Sequence, residues 1–121
     1  MVLRDEINIK KGNINLSLVL FTYEQHGDQV IYSPALDLAG FGDTLEEAKS
    51  AFDDSMQLYL EFVLTEETFE TELHKLGWKK KKFYNHRFKP KPYEFIEIMN
   101  EKGVSSFRVM ADNRVLPRIM A

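Results

Sequence analysis

The chain has 121 residues, of which 44% are hydrophobic and 29% charged, with a formal net charge of −3. This is enough apolar material for one domain around one core, so a folded chain and not a disordered one is expected, and the total charge points to no polyanionic partner. The absence of cysteine removes disulfides, zinc–thiolate sites and thiol nucleophiles together.

The opening run MVLRDEINIKKGN carries charge where a secretory leader needs an apolar core. The longest apolar stretches, residues 18–21 and 62–64, are far too short to span a bilayer. A cytoplasmic location is therefore expected. Residues 14–23, INLSLVLFTY, predict the first strand, because Ile14, Leu16, Leu18 and Leu20 alternate with Asn15 and Ser17. Gly27-Asp28 signals a turn, and residues 29–33 resume a β-branched run, which predicts a hairpin. A third short strand is expected over 37–41, with Pro34 in the connection because it has no N–H to offer a ladder.

A long helix follows. Residues 43–47, DTLEE, offer a capping box as Asp43 with Glu46 or as Thr44 with Glu47. Leu45, Ala48, Phe52, Met56, Tyr59 and Val63 recur at spacings of three and four and define a buried face, from which Asp53, Asp54, Gln57 and Glu61 turn away. A second helix is expected from about residue 65, with Phe69, Leu73 and Leu76 as its apolar side. Gly77 suits its left-handed end, and Trp78 can fold back on Leu73. From residue 79 the composition becomes basic and reads as a connector. Residues 93–99 fit a strand or a short helix, and Pro92 before and Gly103 after favour the helix. Residues 104–111 and 114–120 flank Asp112-Asn113, a candidate hairpin turn, and Pro117 assigns the last segment to a sheet edge. The expected architecture is thus a single α+β domain over 1–121. Residues 1–78 form a β-β-β-α-α core of antiparallel strands with two helices packed on the sheet. Residues 79–121 form a basic connector with a short helix and hairpin as a C-terminal extension.

Catalytic chemistry finds little support. A metal-dependent nuclease needs clustered carboxylates, and the first strand has none. Asp37 and Asp43 could approach one another, but read more simply as a turn residue and a helix cap. His26, His74 and His86 show no ligand spacing, no serine sits in a GxSxG elbow, and Gly40-Phe41-Gly42 is too short for a phosphate loop, reading instead as backbone relaxation where strand meets helix. No cofactor or metal is expected.

Charge is distributed unevenly. Residues 43–76 hold ten acidic side chains against Lys49 and Lys75, a net of eight negative charges. Residues 79–91 hold seven positive ones, Lys79, Lys80, Lys81, Lys82, Arg87, Lys89 and Lys91, interleaved with Phe83, Tyr84 and Phe88. The acidic helix could dock a basic partner or be a solvated face. The basic segment could contact phosphates and stack on bases, or simply answer the acids within the same molecule.

The string of residues 30–48, VIYSPALDLAGFGDTLEEA, together with Leu58-Tyr59-Leu60, resembles the core signature of the HicB family. The similarity covers residues 14–64 and lacks a helix-turn-helix or ribbon-helix-helix segment after Trp78. It implies a partial ribonuclease-H-like fold without catalytic carboxylates and an antitoxin-type role, binding and neutralising a small basic ribonuclease toxin. On that reading the contacts are the exposed acids Glu46, Asp53, Asp54 and Glu61, with Tyr32 and Phe41 as buried neighbours. The alternative is a nucleic-acid binder using residues 79–91. A homo-oligomer, a dimer through the last strand for example, is expected because a sheet has edges.

Overall fold

Alternation in the first half of INLSLVLFTY sends alternate side chains to opposite faces of a strand, and both faces are used. A computed structural model of the chain describes residues 4–10, 13–65, 69–81, 84–91 and 93–117. The elements in chain order are β1 (Glu6–Lys10), β2 (Asn13–Gln25), β3 (Asp28–Ser33), β4 (Leu38–Gly42), α1 (Leu45–Thr65), α2 (Phe69–Lys75), β5 (Lys79–Lys81), β6 (Tyr84–Lys89), α3 (Phe95–Glu101) and β7 (Arg108–Pro117). Among the described residues the fold is α+β, with an antiparallel sheet and three helices. Among the described residues no helix is long and apolar enough to cross a membrane.

The registers around β2 define the sheet. At Ser17, β2 pairs with Glu6 of β1 and with Asn113 of β7; at Phe21 it pairs with Tyr32 of β3 and Val109 of β7. A strand has one partner per edge, so β7 runs along one edge of β2 from Asn13 to Thr22, while β1 and β3 share the other edge end to end. Beyond β1 the sheet continues to β6 and β5, and beyond β3 to β4.

The even-numbered residues Ile14, Leu16, Leu18 and Leu20 are buried with Ala48, Phe52, Met56 and Leu60 of α1, Leu73 of α2 and Trp78. The odd-numbered Val19, Phe21 and Tyr23 are buried with Val30, Met99 of α3 and Val104 on the opposite face. One sheet thus carries a core on each side, with α1 and α2 over one and α3 over the other. Trp78 is fully buried, and its indole N–H donates to the Ala35 carbonyl at 2.8 Å, tying the end of α2 to the β3–β4 turn. That turn and the strand before it complete a wall that apolar burial alone would not orient.

The local signals of the sequence are met at several ends. The Thr44 hydroxyl accepts the Glu47 N–H at 3.1 Å, and the Glu47 carboxylate accepts the Asp43 N–H at 2.9 Å, so of the two capping registers the structure takes Thr44 with Glu47. Trp78 N–H donates to Leu73 O at 2.8 Å and Gly77 N–H to His74 O at 3.0 Å, with Gly77 at φ 93°, the expected Schellman ending. The segment after Pro92 is the helix α3, as Gly103 favoured.

Other expectations are corrected. The hairpin turn is His26-Gly27, both at positive φ, and Asp28 already pairs with Gln25. Leu45, expected on the buried face of α1, is half exposed, because α1 begins beyond the last covered position of β4. Val63 and Phe69 have side chains outside the described residues. Asp112 and Asn113 do not turn the chain. They pair with Leu18 and Ser17 inside an unbroken β7, because β2 presents a free edge long enough for ten paired residues and the Asp112 carboxylate is held by Arg114 Nε at 2.8 Å. The basic segment is no connector either: β5 and β6 form a hairpin whose second strand joins β1 through Ile7–Phe88 and Asn8–Arg87. β1 lies in the charged opening run, where the short INI apolar pattern is the one clue to it.

Gly40 and Gly42 do not relax the junction between strand and helix. They let α1 lie directly on β4. A Cβ on Gly40 would collide with the backbone nitrogen of Phe52 and the carbonyl of Ala48. Gly40→Ala is therefore expected to lower unfolding stability by about 1–3 kcal/mol or more, read as a lower urea midpoint at unchanged slope. A variant as stable as the native chain would refute the close contact.

Candidate functional site

Three surfaces carry the charged and aromatic residues singled out in the sequence. The first is the outer side of α1. Its burial repeats through Ala48, Phe52, Met56 and Leu60, leaving Glu46, Lys49 and Asp54 exposed. Asp53 keeps 45% of its side chain exposed on this surface but is engaged within the chain. The Arg114 guanidinium bonds Asp53 through Nη2 and Asp112 through Nε, a bridge that fastens α1 to β7. Glu61 belongs to α1, and its side chain lies outside the described residues. The residue that the sequence reading missed here is Leu58, 68% exposed and one turn beyond Asp54. Its position two residues from Met56, off the apolar stripe, was the available signal.

The second surface lies across the sheet. Tyr32 pairs with Phe21 and Ala39, and Val30 with Tyr23 and Phe41, so Tyr32 and Phe41 both point to the α3 side, away from α1. Tyr32 and Phe41 are therefore separated by the sheet from Glu46, Asp53 and Asp54 of α1, beside which they were expected. Phe41, expected to be buried, is 57% exposed because β4 is the last strand on its side. Tyr32 is half-buried. Its hydroxyl donates to Asp37 Oδ1 at 3.0 Å, and Lys102 Nζ sits 4.1 Å from its ring centroid. Burial, then the bond to Asp37 and its charge, pushes the Tyr32 phenol well above its ordinary range. A groove of about 310 Å³ opens beside it, lined by Tyr32, Tyr93, Lys91, Glu94, Glu97 and Glu101 among others.

The floor of this region rests on Asp5. On the shared edge of β2, the β1 pairing ends at Ser17 and the β3 pairing starts at Phe21. In the gap, Asp5 Oδ1 accepts the Val19 N–H at 2.8 Å, and Oδ2 accepts the Tyr93 hydroxyl at 2.6 Å. A side chain thus supplies the acceptor that no strand provides there. Burial raises the Asp5 carboxyl above its ordinary range, against the opposing effect of the Tyr93 and Val19 bonds.

The third surface is the basic hairpin. Lys79 and Lys89 are exposed and directly opposite one another in register. Phe88, offered as a stacking residue, is buried in the core against Ile7. Lys80, Lys81 and Arg87 have backbones within β5 and β6 but side chains outside the described residues, as does Tyr84; Lys82 and Phe83 lie outside the described residues altogether. Lys91 is exposed at the groove. Asp37 is occupied by Tyr32, and the Asp43 N–H by Glu47. Among the described residues no group of three or more His, Cys, Asp or Glu side chains could hold a metal ion.

Comparison of the chain with protein-family models, with curated proteins and with solved structures finds no match.

The position of Asp5 sets a pH dependence. With its folded pKa raised, the stability tied to the neutral acid is full below the unfolded pKa and is lost as pH rises through the folded one. Asp5→Asn keeps an acceptor for Val19 and cannot ionise. It should gain stability relative to the native chain as pH is raised from acid to neutral in urea titrations. Asp5→Ala, which strands the Val19 N–H and the Tyr93 hydroxyl, should cost about 1–3 kcal/mol at acid pH, and this cost should shrink as pH is raised, because this variant too lacks the titrating carboxyl. A pH-independent difference between the Asn variant and the native chain would contradict the assignment.

Proposed function

We propose that this chain is a non-catalytic, cytoplasmic binding protein of HicB type, with a partial ribonuclease-H-like fold, that docks and neutralises a small basic protein such as a ribonuclease toxin. Residues 30–48, which carry the resemblance, run through β3, its turn, β4 and the capped start of α1 as one unit. The observation that carries the reading is the outer side of α1, where exposed Leu58 stands beside exposed Asp54 and, two turns further toward the N-terminus, Glu46. An apolar anchor with acidic neighbours suits a basic partner: the apolar contact gives affinity, and the charges steer encounter and select sign. Asp53 is engaged by Arg114 of β7, so among the described residues of this surface Glu46 and Asp54 are the acids with no partner within the chain to compete for them.

The test is affinity capture from the native host at low salt with the native chain, Leu58→Asp, and Glu46→Lys with Asp54→Lys. A small basic ribonuclease should be recovered at near-equal amounts with the native chain and be inactive until released. Leu58→Asp should weaken it roughly tenfold or more, about 1.4 kcal/mol, and the double reversal should slow association and flatten its salt dependence. Recovery of that protein unchanged by all three substitutions, or of no basic protein, would sink the proposal.

A second reading has its own observation. Lys79 and Lys89 face one another across β5 and β6, a like-charge pairing that is unfavourable unless an anion lies over it. If that anion is a nucleic-acid backbone, affinity for single-stranded RNA or DNA should fall steeply with salt and drop again on Lys79→Gln with Lys89→Gln. A flat response to both removes this reading.

A further inference from the structure

The sheet has three free edges among the described residues, and they differ in how they are guarded. β5 is three residues long, entirely lysine, and bulged against its neighbour. β4 is five residues long and contains two glycines. Short length, charged side chains, proline and bulges are the usual means of keeping an edge from pairing with another chain. β7 is the least guarded of the three, because its charges, Arg108, Asp112 and Arg114, are of both signs and can answer one another across a second copy. It is ten residues long, pairs with β2 without a register break, contains no lysine or glycine, and has its single proline at the last position. β2 is the one element whose backbone lies extensively beside it.

We infer that β7 is a self-association edge: two copies of the chain pair β7 against β7, antiparallel, across a two-fold axis through Asn113. The choice of axis follows from charge and parity. An axis perpendicular to the sheet keeps the α1-covered faces on one side, so even residues meet even and odd meet odd. Centring on Ala111 would set Arg108 opposite Arg114 of the second copy. Centring on Asp112 or Arg114 would set each against itself, and like charges directly opposite are unfavourable. Centring on Met110 pairs charges well, but within the strand it spans only residues 108–112. Centring on Asn113 sets Asp112 opposite Arg114 of the second copy and the reverse, and it pairs the strand over residues 109–117. On the odd face it sets Ala111 opposite Val115 and Val109 opposite Pro117. Val115 is 66% exposed and Val109 39% exposed in the single chain, so the pairing extends an apolar row that one copy leaves in water. The two sheets become one continuous sheet, and the Arg114–Asp53 bridges flank the axis.

The chain has no cysteine, which makes cross-linking a clean test. Sedimentation equilibrium at high-micromolar concentration should give twice the 14.2 kDa chain mass. Asn113→Lys, a change at an exposed position that sets two ammonium groups face to face on the axis, should weaken self-association roughly tenfold or more with its thermal midpoint as a monomer unchanged. Under mild oxidation Asn113→Cys should cross-link at least roughly tenfold faster than Val115→Cys. The axis brings residue 113 onto its own counterpart within disulfide reach, whereas residue 115 lies roughly 13 Å from its own. Should the lysine variant fail to fold, the two cysteine variants decide the matter alone. A monomer at high concentration, a dimer indifferent to Asn113→Lys, or faster cross-linking at position 115 than at 113 would each overturn the inference.

Discussion

A β-strand has two hydrogen-bonding edges, and how β2 spends its two edges organises everything else here. One edge is given to β7 alone, the most distant strand in sequence, over Asn13 to Thr22. The other is divided, with β1 on its first third and β3 on its last. Because β1 and β3 do not abut, backbone between them is left without a strand partner, and the Asp5 carboxylate takes the Val19 N–H. The same carboxylate holds Tyr93, and so fixes the chain just before α3. A buried backbone donor must be satisfied, and here the residue that satisfies it also sets where the covering helix begins.

Thirteen residues in one extended strand also give the sheet two apolar faces. α1 can approach one of them so closely only because Gly40 and Gly42 remove side chains from β4 beneath it. The other face is closed by α3, with Phe21, Phe95 and Phe107 meeting at centroid separations between 5.5 and 5.9 Å. Each face then presents its own outer surface: acids and Leu58 on α1, tyrosines and the glutamates of α3 on the other. The edge at β4, where Phe41 is exposed, is one route by which a partner could reach from one surface to the other.

Charge divides into what the fold consumes and what it leaves free. Asp5, Asp37, Asp53, Asp112 and Glu47 all accept hydrogen bonds from groups within the chain. Glu46 and Asp54 remain exposed, as do Lys79 and Lys89 on the opposite sign. A partly buried bridge such as Arg114 with Asp53 fixes the geometry between α1 and β7, and free surface charges govern approach. Net charge alone could not separate the two populations.

The sequence by itself determined what depends on near neighbours: the alternation of β2, the cap at Thr44, the Schellman ending at Gly77, the helix between Pro92 and Gly103, and the absence of thiol chemistry. The first four are local patterns over a few residues and the last is composition, so residue type and spacing suffice. What only the tertiary structure decided are the pairings over long separations. Asp112-Asn113 has the composition of a turn and is held straight because β2 offers an edge to match it. Asp53 has the position of a free surface acid and is engaged by an arginine sixty-one residues away. Tyr32 and Phe41 stand close in sequence to the acids of α1 but face the other way, because strand parity sends them to the side that α1 does not cover. The physical reason is common to all three: a side chain's role is set by which edge or face its backbone presents, and that is known only when distant strands have chosen their partners.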